Sequence, residues 1–281
     1  MEISKDTQDK IKRVELELLK NFIDVCDKLE LEYFAVGGTL LGAIRHGGFI
    51  PWDDDIDIGM MRKDYEIFKK EAQRLLPNHI FVQCLETEKS CPFNFIKLRD
   101  SNTTFIESSI SNLNINHGIY IDIFPYDEYP EDYCKQKRVD LKKIILTKSI
   151  SRIFNHNSNT EKKTPFSKLT DIISFVLYPN IKNSLYKREK LYTEYNKSDS
   201  KLIINYNGAW GKREIAEKVW FKNLKIVPFE DVKLKIPVEY DLYLKKMYGD
   251  YMTFPPKEKQ ISHHYTKVID VEKPYTYYIN R

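Results

Sequence analysis

The chain has 281 residues, of which 42% are hydrophobic and 31% charged, with a net charge of only +4. That balance suits one large globular domain, or one with a substantial insertion, and excludes a disordered or fibrous chain. The longest apolar stretch, 172–178, is broken by Ser174 and falls far short of the ~18–20 residues of a membrane-spanning helix.

The opening residues are charged throughout and lack an apolar core, so they predict no secretory signal. Cys26, Cys84, Cys91 and Cys134 form no CxxC pair and have no histidine at zinc spacing. They read as reduced thiols of a cytoplasmic protein, which excludes a disulfide scaffold and a structural zinc site. In chain order, 7–31 carries apolar residues at helical spacing and predicts an amphipathic helix. A short buried strand over 33–36 follows, then Gly37-Gly38, then a short helix over 40–45 that Thr39 could cap. Ile56 and Ile58 alternate with Asp55 and Asp57, the period-2 pattern of a half-buried strand. A helix is expected over 62–76 and strands over 80–85, 93–98 and 119–124. From 132 to about 196 the pattern turns helical and basic, with a polar break at 155–164. A hairpin over 224–236 and a helix near 239–248 complete the chain.

The densest chemical signal is VGGTLLGAIRHGGFIPWDDDIDIGM, residues 36–60. Two glycines let backbone approach a phosphate, and the amides opening the next helix point at it. On a strand Asp55 and Asp57 share a face, and two adjacent carboxylates repel unless a hard cation such as Mg²⁺ or Mn²⁺ lies between them. Asp53 is in register with both if the strand starts early, and otherwise sits on the loop above. A calcium loop is excluded because Ile58 stands where that loop needs glycine, although Asp64 falls at its twelfth position. In 118–124 the isoleucines Ile119, Ile121 and Ile123 share one face and leave Asp122 on the other. A lone carboxylate in so apolar a strand is costly unless paired or metal-bound, which makes Asp122 the third metal ligand. Trp52 reads as a loop anchor before it reads as a base stacker.

The 36–60 string resembles the LicD family of the polymerase-β-like nucleotidyltransferase superfamily, whose relatives include fukutin and fukutin-related protein. KLRDSNTTFIE (97–107), GIYIDIFPYD (118–127), AWG (209–211), YLKKMYGDYMTFPP (243–256) and His263-His264 extend the resemblance; residues 132–200 match nothing. The resemblance implies an α/β (α+β) fold, with a nucleotidyltransferase-like mixed sheet core flanked by helices. The expected organisation is a catalytic core over 1–131, a basic helical insertion over 132–200, and a C-terminal part over 201–281 that completes the site. It also implies a Mg²⁺-dependent phosphotransferase that moves phosphocholine or a similar group from a CDP-linked donor to a sugar or lipid-linked glycan acceptor. Asp55, Asp57 and Asp122 would be catalytic, and with Asp53 would hold the metal. Gly37, Gly38 and Thr39 would hold a phosphate, Arg45, Lys97 and Arg99 would clamp it, and His263 or His264 would contact it or act as acid/base.

Two alternatives share these residues. One is a nucleotidyltransferase that releases pyrophosphate from an NTP; the other is a silent nucleotide- or glycan-binding module, disfavoured because every expected metal carboxylate is present. Between 135 and 190, 14 Lys/Arg stand against 4 Asp/Glu, a net +10 that leaves −6 on the rest. No nucleic-acid partner is expected, since the aromatic interleaving of single-strand binders is missing. The apolar stripe of 166–177 beside these cations has two readings: a helix lying on an anionic membrane at its inner face, or an ordinary docked helix.

Overall fold

A computed structural model describes residues 4–154, 164–260 and 265–279. Helix α1 (Lys5–Lys28) is capped by the Ser4 hydroxyl, which accepts from the Thr7 amide, and buries Leu18, Leu19, Phe22, Val25 and Cys26. Strand β1 (Phe34–Ala35) leads into α2 (Gly37–Arg45), whose N-cap is Val36 and not the expected Thr39. The helix starts three residues early because Gly37 takes a left-handed φ of +55° that only glycine adopts without strain.

Strand β2 (Asp57–Met61) begins at Asp57, so Asp53 and Asp55 lie on the loop before it. Helix α3 (Arg62–Glu71) passes into a 3₁₀ turn at Ala72, shorter than the spacing predicts. Strands β3 (Ile80–Gln83), β4 (Ile96–Asp100), β5 (Thr104–Glu107) and β6 (Ile119–Tyr129) follow. The basic stretch resolves into α4 (Tyr133–Ser151), α5 (Pro165–Leu177) and α6 (Ile181–Tyr192). Then come β7 (Leu202–Ile204), β8 (Ile215–Glu217), the hairpin β9 (Leu224–Phe229) and β10 (Val232–Pro237), α7 (Tyr240–Tyr248) and β11 (Thr266–Asp270).

The main sheet runs β1-β2-β6-β4-β3, with β7 on the far half of β6 and β8 on β7. Among the described residues only the β2–β6 pairing is parallel, so the sheet is mixed and the fold α+β. Strand β6 holds it together: Ile121 and Ile123 are fully buried against α1 and α3, while the opposite face carries Asp122. Cys26, Cys84 and Cys91 are buried as free thiols and Cys134 is exposed. Among the described residues no helix is long and apolar enough to cross a membrane.

The helical stretch is tied to the sheet by an ion-pair network. Arg62 makes a two-pronged bond to Asp127 at 2.7 Å and a second to Glu189 on α6 at 2.5 Å. Asn94, just before β4, bonds Glu189 and accepts from Arg188. Partner geometry of this quality offsets the cost of burying such charges.

Candidate active site

The site grows from sheet register. Asp57 and Asp122 are direct partners on the parallel pair β2–β6, and Asp122 is opposite Lys97 on β4. Three neighbouring strands therefore present a row of Asp57, Asp122 and Lys97 on one face. Lys97 Nζ lies 3.0 and 3.3 Å from the two Asp122 oxygens and 3.3 Å from the centre of the Tyr120 ring. It is a buried counter-ion to the sheet's own carboxylate.

Burial, then the nearby Asp55, Asp122 and Asp53, push the Asp57 carboxyl well above the usual carboxylate range, with Lys97 opposing them. Burial also raises Asp122, against the pull of Lys97. On the other side α1 contributes Glu15, buried and raised well above its ordinary value by desolvation and by Asp55, Asp54 and Asp53. The acidic loop is held in place by α1, through Gln8 to the Asp53 carbonyl and Lys12 to the carbonyls of Ile50 and Pro51.

The glycines serve this acidic group directly. A methyl placed on Gly37 would lie 2.7 Å from Asp57 Oδ2, and one on Gly38 would lie 2.3 Å from Asp53 Oδ2. A side chain at either glycine would therefore collide with a carboxylate, so both positions must stay bare for the acidic group to pack against this turn. Thr39 is taken, its buried hydroxyl accepting from the Asp57 amide at 2.8 Å and fixing where β2 begins. Gly38→Ala is expected to lower activity about tenfold by displacing Asp53, with a melting temperature unchanged or higher because alanine favours a helix by about 1 kcal/mol. Kinetics and thermal melts on one preparation check this, and unaltered activity would remove Asp53 from the site.

Two other expected clamps lie elsewhere. Arg99 is fully buried, donating to Gln83 Oε1 at 2.5 Å and the Gly118 carbonyl at 2.7 Å. It is a core cation because β4 places it opposite Tyr120 and away from the pocket lining. Arg45 bonds the Tyr251 carbonyl at 2.7 Å and His46 Nε2 at 3.0 Å, and stacks over Phe254. Trp52 joins the same cluster 6.2 Å from Phe254, a loop anchor as the sequence suggests. His263 and His264 lie outside the described residues.

Asp55, Asp57 and Asp122 line one pocket of about 240 Å³ with Val36, Gly37, Phe95 and Phe124. Its far wall comes from the last third of the chain: Asn205, Asn207, Trp210, Glu214, Tyr243 and Tyr248. None of these was assigned a role from sequence, although AWG and the 243–256 string mark their neighbourhood. Tyr243 closes the junction, its hydroxyl accepting from the Gly37 amide at 3.4 Å. Glu214 is buried beneath this wall, takes the Trp210 amide at 3.2 Å, and is pushed up to about 7 by burial, with that amide and Lys143 opposing.

A strand carboxylate row beside a Gly-Gly helix start, on a mixed sheet, defines a site of the nucleotidyltransferase type. Residues 30–154 match the family model described as LicD/FKTN/FKRP, nucleotidyltransferase domain. The chain is 29% identical over 254 residues to "Lipopolysaccharide cholinephosphotransferase LicD" of Haemophilus influenzae, spanning 89% of this chain and 92% of that protein. It is 31% identical over 202 residues to the uncharacterized protein RT0683 of Rickettsia typhi, 60% of this chain and 64% of the relative. A shorter match, 28% over 120 residues, covers 41% of this chain and 20% of "Ribitol 5-phosphate transferase FKRP" of Homo sapiens. Over residues 30–154 the chain is similar to the LicD family.

Proposed function

We propose that this LicD-family phosphotransferase moves a substituted phosphate, phosphocholine or a close analogue, from a CDP-linked donor to a sugar hydroxyl of a cell-surface polysaccharide, with Mg²⁺ bound. One observation carries the reading: Asp55, Asp57 and Asp122 share a pocket with an aromatic and acidic wall. A phosphate-handling end thereby faces a head-group end.

The donor set suits a hard divalent cation, since it is made of carboxylate oxygens, and burial followed by their mutual repulsion raises Asp57. Among the described residues no three such side chains converge on one point. Asp55 and Asp57 are the pair that would hold the ion, with Asp53 beside them and Asp122 shared with Lys97. Once bound, Mg²⁺ would neutralise charge on the transferring phosphate and the departing CMP. Lys97 fixes the Asp122 carboxylate, and Thr39 fixes the strand that carries Asp57, so the acidic row is already oriented before substrate arrives.

At the other end, Trp210 and Tyr248 with Glu214 fit a quaternary ammonium group, which is attracted to aromatic faces and offsets the burial of a carboxylate. Glu214 is neutral below about pH 7 and charged above it. A cationic head group binds the charged form better, so the KM for CDP-choline is expected to fall about tenfold as pH rises through neutrality. Glu214→Gln should flatten that profile, and CDP-glycerol, without the cation, should not show it. A pH profile identical in wild type and variant would remove Glu214 from head-group recognition.

The test of the reaction is product release from purified protein, Mg²⁺, a panel of CDP-choline, CDP-ribitol and CDP-glycerol, the four NTPs, and a membrane extract as acceptor. CMP that appears from one CDP donor and depends on acceptor is the expected result. Pyrophosphate from an NTP would overturn it in favour of nucleotidyl transfer.

A further inference from the structure

Helix α5 is built inside out. Thr170 and Ser174 are its buried residues, and Ser167 and Asp171 on the same stripe accept from Lys148 Nζ of α4 at 2.9 and 2.6 Å. The polar stripe therefore faces the protein. Phe166, Leu169, Ile172, Phe175, Val176 and Leu177 are 54–68% exposed on the opposite side. A helix of a water-soluble domain normally turns its apolar stripe to the core. Single exposed apolar residues are ordinary, but six on thirteen residues form a patch that marks an interaction surface.

The charge around the patch has one sign. Lys168 lies within α5, Arg152 of α4 sits 5.8 Å from the Phe175 ring, and Lys187 of α6 lies over Tyr178, the residue that ends α5. The described carboxylates of 135–190 are all engaged within the protein: Asp171 with Lys148, Glu189 with Arg62, and Asp140 with the Tyr129 hydroxyl. What remains for a partner is an apolar stripe rimmed by cations. A second copy of the chain docking by this stripe would bring two cationic rims together.

We propose that α5 docks the chain on an anionic lipid bilayer, lying in the interface plane with its apolar stripe at the acyl boundary and Arg152, Lys168 and Lys187 among the headgroups. Thirteen residues rise only about 20 Å, too short to span, so the helix lies on the membrane. This docking is independent of which donor the pocket takes.

The test is co-sedimentation of the full chain with vesicles of phosphatidylcholine alone or mixed with phosphatidylglycerol, at low and high salt, alongside light scattering without lipid. Binding to the mixed vesicles, weakened by salt, is expected. The double variant I172E/F175E should bind at least about tenfold less, because each substitution removes an apolar side chain from the acyl boundary and adds a repelled charge. R152E/K168E should lose the preference for phosphatidylglycerol. Ile172 and Phe175 are exposed, so I172E/F175E should leave the melting temperature unchanged, whereas R152E also removes the bonds of Arg152 to Ser149 and the Tyr178 carbonyl and should lower it. Binding to neither vesicle, or equal binding by I172E/F175E, would overturn the proposal. A dimer abolished by that variant without any vesicle binding would assign the face to a second copy and also overturn it.

Discussion

Asp57→Asn is expected to lower turnover by about a thousandfold while making the metal-free protein more stable at neutral pH. The activity loss follows from the several kcal/mol of transition-state charge stabilisation that a carboxylate-held cation supplies, at about 1.4 kcal/mol per tenfold. The gain in stability follows from linkage. The folded-state value of Asp57 is raised well above its ordinary 3.8 by burial and by Asp55, Asp122 and Asp53. A raised carboxyl costs stability progressively as pH climbs from about 3.8 towards the folded value, where it is finally forced to ionise in place. Asparagine cannot ionise, so the variant should melt higher than wild type at pH 8, with the gap closing towards pH 4. Added Mg²⁺ should raise the wild-type melting temperature and leave the variant unmoved. Thermal melts with EDTA or Mg²⁺, paired with CMP release, read both effects, and full turnover of Asp57→Asn in Mg²⁺ would sink the carboxylate mechanism.

The second large effect concerns Lys97. Lys97→Met removes the single cation bonded to both Asp122 oxygens and leaves that carboxyl buried among apolar strands. Breaking a buried pair from one side typically costs about 3–5 kcal/mol. Without Lys97 the Asp122 carboxyl rises further and keeps its proton up to higher pH. The deficit should therefore be smaller at pH 5 than at pH 8, where the group must either ionise unpaired or carry the proton at growing cost. Urea denaturation at the two pH values reads this dependence, and Lys97→Met/Asp122→Asn should recover much of the loss. A deficit independent of pH, with no rescue in the double variant, would mean that Lys97 acts by packing on Tyr120 and not through its charge.

Both predictions rest on residues that were visible in the sequence, though not always in the role they play. The alternation of Ile56 and Ile58 with Asp55 and Asp57, and of three isoleucines with Asp122, is legible because period 2 and solvent cost act on a few adjacent residues. It told which carboxylates leave the core. It could not tell that Lys97 would be the partner of Asp122, because that depends on the antiparallel register of β4 against β6. Lys97 and Arg99 look alike on one strand face, yet one joins the acidic row and the other bonds Gln83 and Gly118 inside the core. Thr39 looked like a helix cap and a phosphate ligand; with Gly37 able to start the helix early, its hydroxyl was left for the Asp57 amide.

The strands β5, β7, β8 and β11 escaped the sequence reading for a related reason. They are three to five residues long, and their hydrogen-bond partners are far away in the chain, as with β5 on β11. Short apolar runs of this kind carry too little periodicity to separate them from loops. The opposite wall of the pocket was hidden in the same way, since Asn205, Glu214 and Tyr243 meet Asp57 only after β7 joins β6 and α7 packs near the start of α2.

By itself the sequence determined the family resemblance, the strand-borne carboxylates and the apolar stripe of 166–177, because each is written in local spacing. Only the tertiary structure decided which cations pair with which carboxylates, which carboxylates pack against Gly37-Gly38, and that the stripe on α5 faces outward. Those outcomes depend on competition among groups far apart in the chain for a limited number of buried partners, and that competition is settled by sheet register and helix packing.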